Sequence, residues 1–259
     1  LMFNVKLWVD SESKESPLIL IIPGFMNETL IDRPLSGWYE QITRFANEHS
    51  FSAGGVYWQS GNLIHNRVNS LETYKLSKGL LSTWKDSLKR ADKLVLPLRR
   101  VLKEIDRPII LVGHSLGGRI ALKIAEKYPK GSIQSIVALA PAYENTVCKY
   151  DKIESSVRKN IVICHSNRDM VLQSLFSMGQ NSKDVLQGVK ALKNKDKWGV
   201  LKALSQVVTH RVTNPALGVS GIPRQHQTEK FIVQDFTPLG HLGYSNELYK
   251  ILCQFREQL

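Results

Sequence analysis

The chain alternates short apolar runs with longer amphipathic ones. In NVKLWVD, residues 4–10, apolar side chains fall at every second position, the period of a half-buried strand at a sheet edge. In PLILIIPG, residues 17–24, the apolar run is unbroken, as in a strand covered on both faces, and Pro-Gly closes it. Trp38, Ile42 and Phe45 recur at helical spacing within Ser36–His49. AGGVYWQS (53–60) predicts another short strand. Residues 71–105 then carry Trp84, Leu88, Ala91, Val95, Leu98 and Leu102 at spacings of four and three. These mark one face of a long helix, with Pro97 expected to kink or break it.

Strands follow at Ile109–Val112, SIVALAPA (135–142), NIVICHS (160–166) and KFIVQDF (230–236), with helices at 116–128 and 245–258. Val-, Ile- and Leu-rich strands interleaved with amphipathic helices predict an α/β fold: a mostly parallel central sheet with helices on both faces. No linker or repeat interrupts the pattern, so residues 1–259 read as a single domain.

The junction Gly113-His114-Ser115-Leu116-Gly117-Gly118 changes the picture from fold to chemistry. A buried strand ends here and a helix begins. Glycines on both sides of Ser115 remove side chains that would crowd a sharp turn, and the helix N-terminus favours negative charge at its mouth. By composition alone, a Gly-x-Ser-x-Gly frame arises by chance in roughly one chain in ten of this size. The strand before it and the small-residue helix start after it are what point to a nucleophile.

A serine hydroxyl needs a base, held in place by a carboxylate. Among the downstream histidines, His241 in PLGHLGY lies between the last strand and the last helix, in a glycine-flanked loop at a strand end. His165 lies within or at the end of a strand and reads as packed. His210 and His226 fall in a long insertion. His114 adjoins the serine and cannot fold back as its base, so it reads as lining the pocket. For the acid, Asp169 follows the strand ending at Ser166, the right type at the right end of the sheet, and could cap a helix as well. Asp235 is the runner-up and Glu144 the third candidate. Two main-chain N–H groups are needed for an oxyanion: that of Leu116, and that of Phe25 or Met26 after IIPG, with Phe25 preferred.

Taken together, IIPGF, VGHSLGG, SNRDMV and GHLGY resemble the α/β-hydrolase fold in order and spacing, over nearly the whole chain. VYWQS, the Ser166–Leu172 stretch and the Asp235–Tyr244 ending are more narrowly similar to a subgroup that includes transmembrane-and-coiled-coil-domain proteins. The resemblance implies a serine-hydrolase triad of Ser115, Asp169 and His241. One departure is Pro23, where many such enzymes carry histidine before the oxyanion-turn glycine.

The expected activity is therefore cleavage of a carboxylic ester, acyl or lipid, through an acyl-enzyme, with no metal and no cofactor. Thioester hydrolysis or acyl transfer by the same triad is the alternative, and a non-catalytic binder of membrane or protein is a further one. Residues 171–230 are expected to form a cap-like insertion. They hold nine lysines and arginines against three acids, half of the chain's net charge of +12. That suits peripheral contact with an anionic membrane through 183–202. No arginine-rich run, zinc spacing or RNA-binding aromatic motif supports nucleic acid as a partner.

No apolar run approaches the roughly 18 residues of a membrane span, and LMFNVKLWVD lacks the order of a signal peptide. The three cysteines, Cys148, Cys164 and Cys253, have no metal-like spacing and read as reduced thiols. A cytoplasmic placement is the expectation.

Overall fold

The computed structural model describes residues 6–10, 15–25, 36–58, 60, 73–173 and 215–259. Seven strands among them form one sheet: β1 (Lys6–Asp10), β2 (Leu18–Ile22), β3 (Ser52–Tyr57), β4 (Ile109–His114), β5 (Ser135–Leu139), β6 (Ile161–His165) and β7 (Phe231–Asp235). Their order is β1-β3-β2-β4-β5-β6-β7, and every pairing is parallel except β1 with β3. The alternating segment at the start is thus the edge strand its pattern predicts, and the structure runs it antiparallel to β3.

Alternation within the strands explains the layers. Leu18, Leu20, Ile22, Leu111 and Ile163 face one core, shared with Leu94 and Leu98 of α2 (Thr73–Lys103) and Ile120 of α3 (Leu116–Ala125). Ile19, Ile21, Ile110, Val112 and Val162 face the other. Their partners there are Trp38, Ile42 and Phe45 of α1 (Ser36–His49) and Leu248, Ile251 and Leu252 of α6 (Tyr244–Gln254). Burial on both faces is why the strands are almost wholly apolar.

Some elements depart from the sequence pattern. Pro97 lies inside α2 and does not end it. A helix the pattern did not show, α4 (Tyr150–Ser156), packs Tyr150 and Ile153 inward; seven residues are too few to display a helical period. The helix α5 (Leu217–Ser220) falls within the expected cap. Yet Ala216, Leu217 and Ile222 are buried in the main core, and Leu217 and Gly218 donate to Tyr143 and Pro141 carbonyls. Residues 215–222 therefore belong to the body of the sheet. Met26 and residues 174–214, including the basic stretch 183–202 and His210, lie outside the described residues.

The strand order places the site. From β2 the chain passes through α1 to β3 on one side. It then returns through α2 to β4 on the other side of β2. Connections leaving β2 and β4 thus diverge to opposite faces, the arrangement in which open α/β sheets bind ligands beyond the carboxyl ends of their strands.

Candidate active site

Ser115 sits at that divergence, between β4 and α3, and is buried. Its backbone is at φ 56° and ψ −117°, a conformation that L-residues rarely adopt and that costs about 1–3 kcal/mol. The surroundings enforce it. Ser115 N–H donates to Leu139 O at the end of β5, and Ser115 O accepts from Ala142 and Arg119 N–H. A Cβ on Gly117 would lie 1.8 Å from Ile22 O, and one on Gly113 would lie 2.4 Å from Gly117 O. Strand β2, strand β4 and helix α3 meet here at backbone-to-backbone distance, so side chains at those two positions have no room.

The turn after β2 closes over the serine. A Cβ on Gly24 would fall 2.7 Å from Ser115 Cβ and 2.8 Å from His114 O. Trp58 Nε1–H donates to Pro23 O (2.9 Å) and fixes that turn from β3's far end. Phe25 follows, edge-on to Trp84 of α2 at a ring separation of 5.4 Å. Leu116 is the first residue of α3, where a main-chain N–H has no acceptor within the helix.

The residues expected as acid and base, Asp169 and His241, lie in the loops after β6 and β7. Asp169 is fully buried, four residues past β6, and each oxygen has its own partner. Oδ1 accepts the Leu172 N–H (2.8 Å), capping the helical turn that starts at Met170, and Oδ2 lies 2.6 Å from His241 Nδ1. Asp169 is thus at once a helix cap and the partner of a histidine. A carboxylate oxygen only accepts, so His241 Nδ1 carries a proton, and in the neutral imidazole Nε2 keeps its lone pair. Ser115 Oγ has no hydrogen-bond partner among the described residues.

The competing residues are otherwise engaged. Glu144 binds the Arg119 guanidinium (2.7 Å), which also pairs with Asp92. Asp235 accepts the Thr237 N–H (2.8 Å), and the Thr237 hydroxyl lies 2.7 Å from the same oxygen. Those bonds hold the Asp235 carboxyl below the usual range. Asn167 N–H donates to Thr237 Oγ1 and ties the loop of Asp169 to the loop of His241. Asp235 therefore shapes the His241 loop through Thr237. His165 is half-buried at the end of β6, and His226 stacks on Tyr150.

His114 is turned inward. It is 2% exposed and packs between Trp38, Tyr244 and His241. Its Nε2 donates to His241 O at 2.9 Å. Burial, and then the nearby His241, pull its pKa down to about 3, so the ring is neutral at ordinary pH. The resemblance singled out VYWQS, but sequence reasoning gave Trp58 no role and missed its bond to Pro23 O.

The α/β hydrolase domain-containing protein 10 from mouse superposes on this architecture over 99% of this chain and 94% of its own, at 12% identity and a TM-score of 0.52. The chain has the α/β-hydrolase fold. Est1E from Butyrivibrio proteoclasticus, solved with ferulic acid bound, is also similar: 12% identity, coverage of 99% and 96%, TM-score 0.49. The monoacylglycerol lipase of Paleococcus ferrophilus is 13% identical, with 98% of both chains covered and a TM-score of 0.42. The sequence model of a family described as serine aminopeptidase, S33, matches residues 77–196, which hold Ser115 and Asp169. No curated protein matches the sequence.

No helix among the described residues of this hydrolase fold is long and apolar enough to cross a membrane. Nor do they hold a group of three or more His, Cys, Asp or Glu side chains placed to bind a metal ion. The cysteines are unpaired, Cys164 buried and Cys148 and Cys253 half-buried.

Proposed function

We propose that the chain is a serine hydrolase of carboxylic esters, acyl or lipid, using Ser115, His241 and Asp169 through an acyl-enzyme. The observation that carries this reading is the 2.6 Å contact from His241 Nδ1 to buried Asp169 Oδ2. It joins two loops at the same sheet end as a serine held at φ 56°.

His241 Nε2 takes the proton from Ser115 Oγ as the oxygen attacks the substrate carbonyl. Asp169 stabilises the imidazolium that forms. Leu116 and Phe25 N–H groups receive the charge on the former carbonyl oxygen. Collapse expels the alkoxide, which takes the proton from His241, and the acyl group stays on Ser115. Water then gives a proton to His241, attacks the acyl carbon and releases the carboxylic acid, and Ser115 recovers its proton.

An apolar acyl group suits the surroundings. Exposed Met170, Val171 and Leu242 flank the acid and the base, and Phe25 presents its ring beside Trp84. The residues of the narrower subgroup likeness are also at the site: Trp58 of VYWQS holds Pro23, and Tyr244 packs on His114. The basic insertion around 183–202, as a cap that touches anionic lipid, and a cytoplasmic setting complete the reading.

The test is a panel of p-nitrophenyl esters of graded chain length beside matched thioesters and aminoacyl amides, run on the wild type and on Ser115→Ala. Ester turnover that vanishes in the variant is the expected result. Faster thioester than ester turnover would favour the thioesterase alternative. Equal background rates in both proteins would leave a binder and remove the hydrolase.

A further inference from the structure

His241 is itself buried, but the positions on either side of it are open. A Cβ on Gly240 would meet nothing within 4 Å, and the neighbouring Leu242 side chain is 73% exposed. Asp169 fixes only the ring, at Nδ1. The main chain that carries the ring is held from beneath by His114, whose Nε2 lies 2.9 Å from His241 O.

The chemistry of that contact is one-sided. A carbonyl can only accept, so His114 must be the Nε2–H form, with Nδ1 unprotonated. In agreement, Nδ1 has no hydrogen-bond partner among the described residues, and it faces the Gly24 backbone. The ring is packed among three other rings. Trp38 lies 5.0 Å from it, His241 4.8 Å and Tyr244 6.1 Å, centroid to centroid. Strand β4 thereby ends on a side chain that grips the His241 loop, and Ser115 follows it directly.

We propose that His114 is a positioning residue: its Nε2–H holds the His241 main-chain carbonyl and so sets the reach of the His241 imidazole toward Ser115. This rests on the hydrolase reading above. It assigns His114 to the base and removes it from the substrate pocket. Displacing a catalytic group by about 1 Å costs on the order of 100-fold in rate, so the carbonyl anchor carries a measurable share of the activity.

The experiment compares alkyl fluorophosphonate labelling of the wild type, Ser115→Ala, His114→Gln and His114→Phe, with thermal melting of each. Gln can place an amide N–H near the position of Nε2, whereas Phe keeps the ring and loses the donor. Labelling that depends on Ser115, falls about 10- to 100-fold in His114→Phe and returns to within about threefold of wild type in His114→Gln is expected. Phe labelling as fast as wild type, or Gln falling as far as Phe, overturns the role of His114 and leaves the hydrolase reading intact. Wild-type labelling no greater than that of Ser115→Ala overturns both.

Should His114→Phe fail to fold, the wild type still decides. In a 15N-histidine spectrum, the ring signals missing from His114→Gln are expected to show an Nε2–H tautomer that does not titrate between pH 5 and 8. An Nδ1–H tautomer, or titration near pH 6.5, overturns the proposal.

Discussion

The two halves of the site are held by different physics. Around Ser115 the constraint is steric: β2, β4 and α3 approach so closely that Cβ atoms on Gly113 and Gly117 would strike main-chain atoms, and the serine is forced to φ 56°. Around His241 the constraint is a set of directed hydrogen bonds. Asp169 grips the ring, His114 the carbonyl, and Thr237 ties the two loops together. A nucleophile must project from a crowded turn, which close packing achieves. A base must accept and return a proton, which polar partners can tune and packing cannot. The steric half should fail through folding, and the hydrogen-bonded half through rate.

The largest expected effect separates charge from geometry in the second half. Asp169→Asn keeps an oxygen to cap the Leu172 N–H but loses the carboxylate facing His241. We expect ester turnover to drop by about 10⁴-fold while stability changes by less than about 1 kcal/mol. Steady-state kinetics beside urea melts check both. A large loss of stability with activity intact would reverse the comparison.

Gly117→Ala probes the first half. Its Cβ would sit 1.8 Å from Ile22 O, with backbone on both sides of the clash. We expect a loss of at least about 3 kcal/mol, or no soluble protein. A denaturant midpoint within error of wild type would show that this crossing is looser than the geometry states.

A smaller effect is pH-dependent and belongs to His114. In the unfolded chain this histidine takes up a proton near pH 6.5, whereas in the fold it does so only near pH 3. The unfolded state therefore binds more protons below pH 6.5. The stability this group contributes is full above that pH and is lost as pH falls. Between pH 7 and pH 5 the loss is about 2 kcal/mol. Urea melts at the two pH values should show it in the wild type, and His114→Phe should show a difference smaller by that amount.

The same contrast explains what the sequence disclosed. Steric crowding leaves glycines, and glycines are visible, so the Ser115 turn could be read from GHSLGG. Two-sided burial leaves continuous apolar runs, so the strands and their parallel sheet could be read too. The strand ends that carry Asp169 and His241 could be read from the same pattern; the contact between the two side chains is what the structure adds. Hydrogen bonds between distant residues leave no local pattern. Nothing in VYWQS says that Trp58 reaches Pro23, and GHS reads the same whichever way the His114 ring turns. The same holds for Arg119, which occupies Glu144 through α3 and closes off one acid candidate. Short elements also escape periodicity. Helices α4 and α5 are seven and four residues long, and α5 placed in the body a stretch that its position after the acid suggested was cap.

The most direct test of the central claim is mass spectrometry of the protein after reaction with a fluorophosphonate, with the adduct mapped to a peptide. A single adduct on Ser115, absent in Ser115→Ala and formed about 10⁴-fold more slowly in Asp169→Asn, is the predicted result. An adduct on another residue, or one that forms unchanged in Ser115→Ala, would contradict the assignment of Ser115 as the nucleophile.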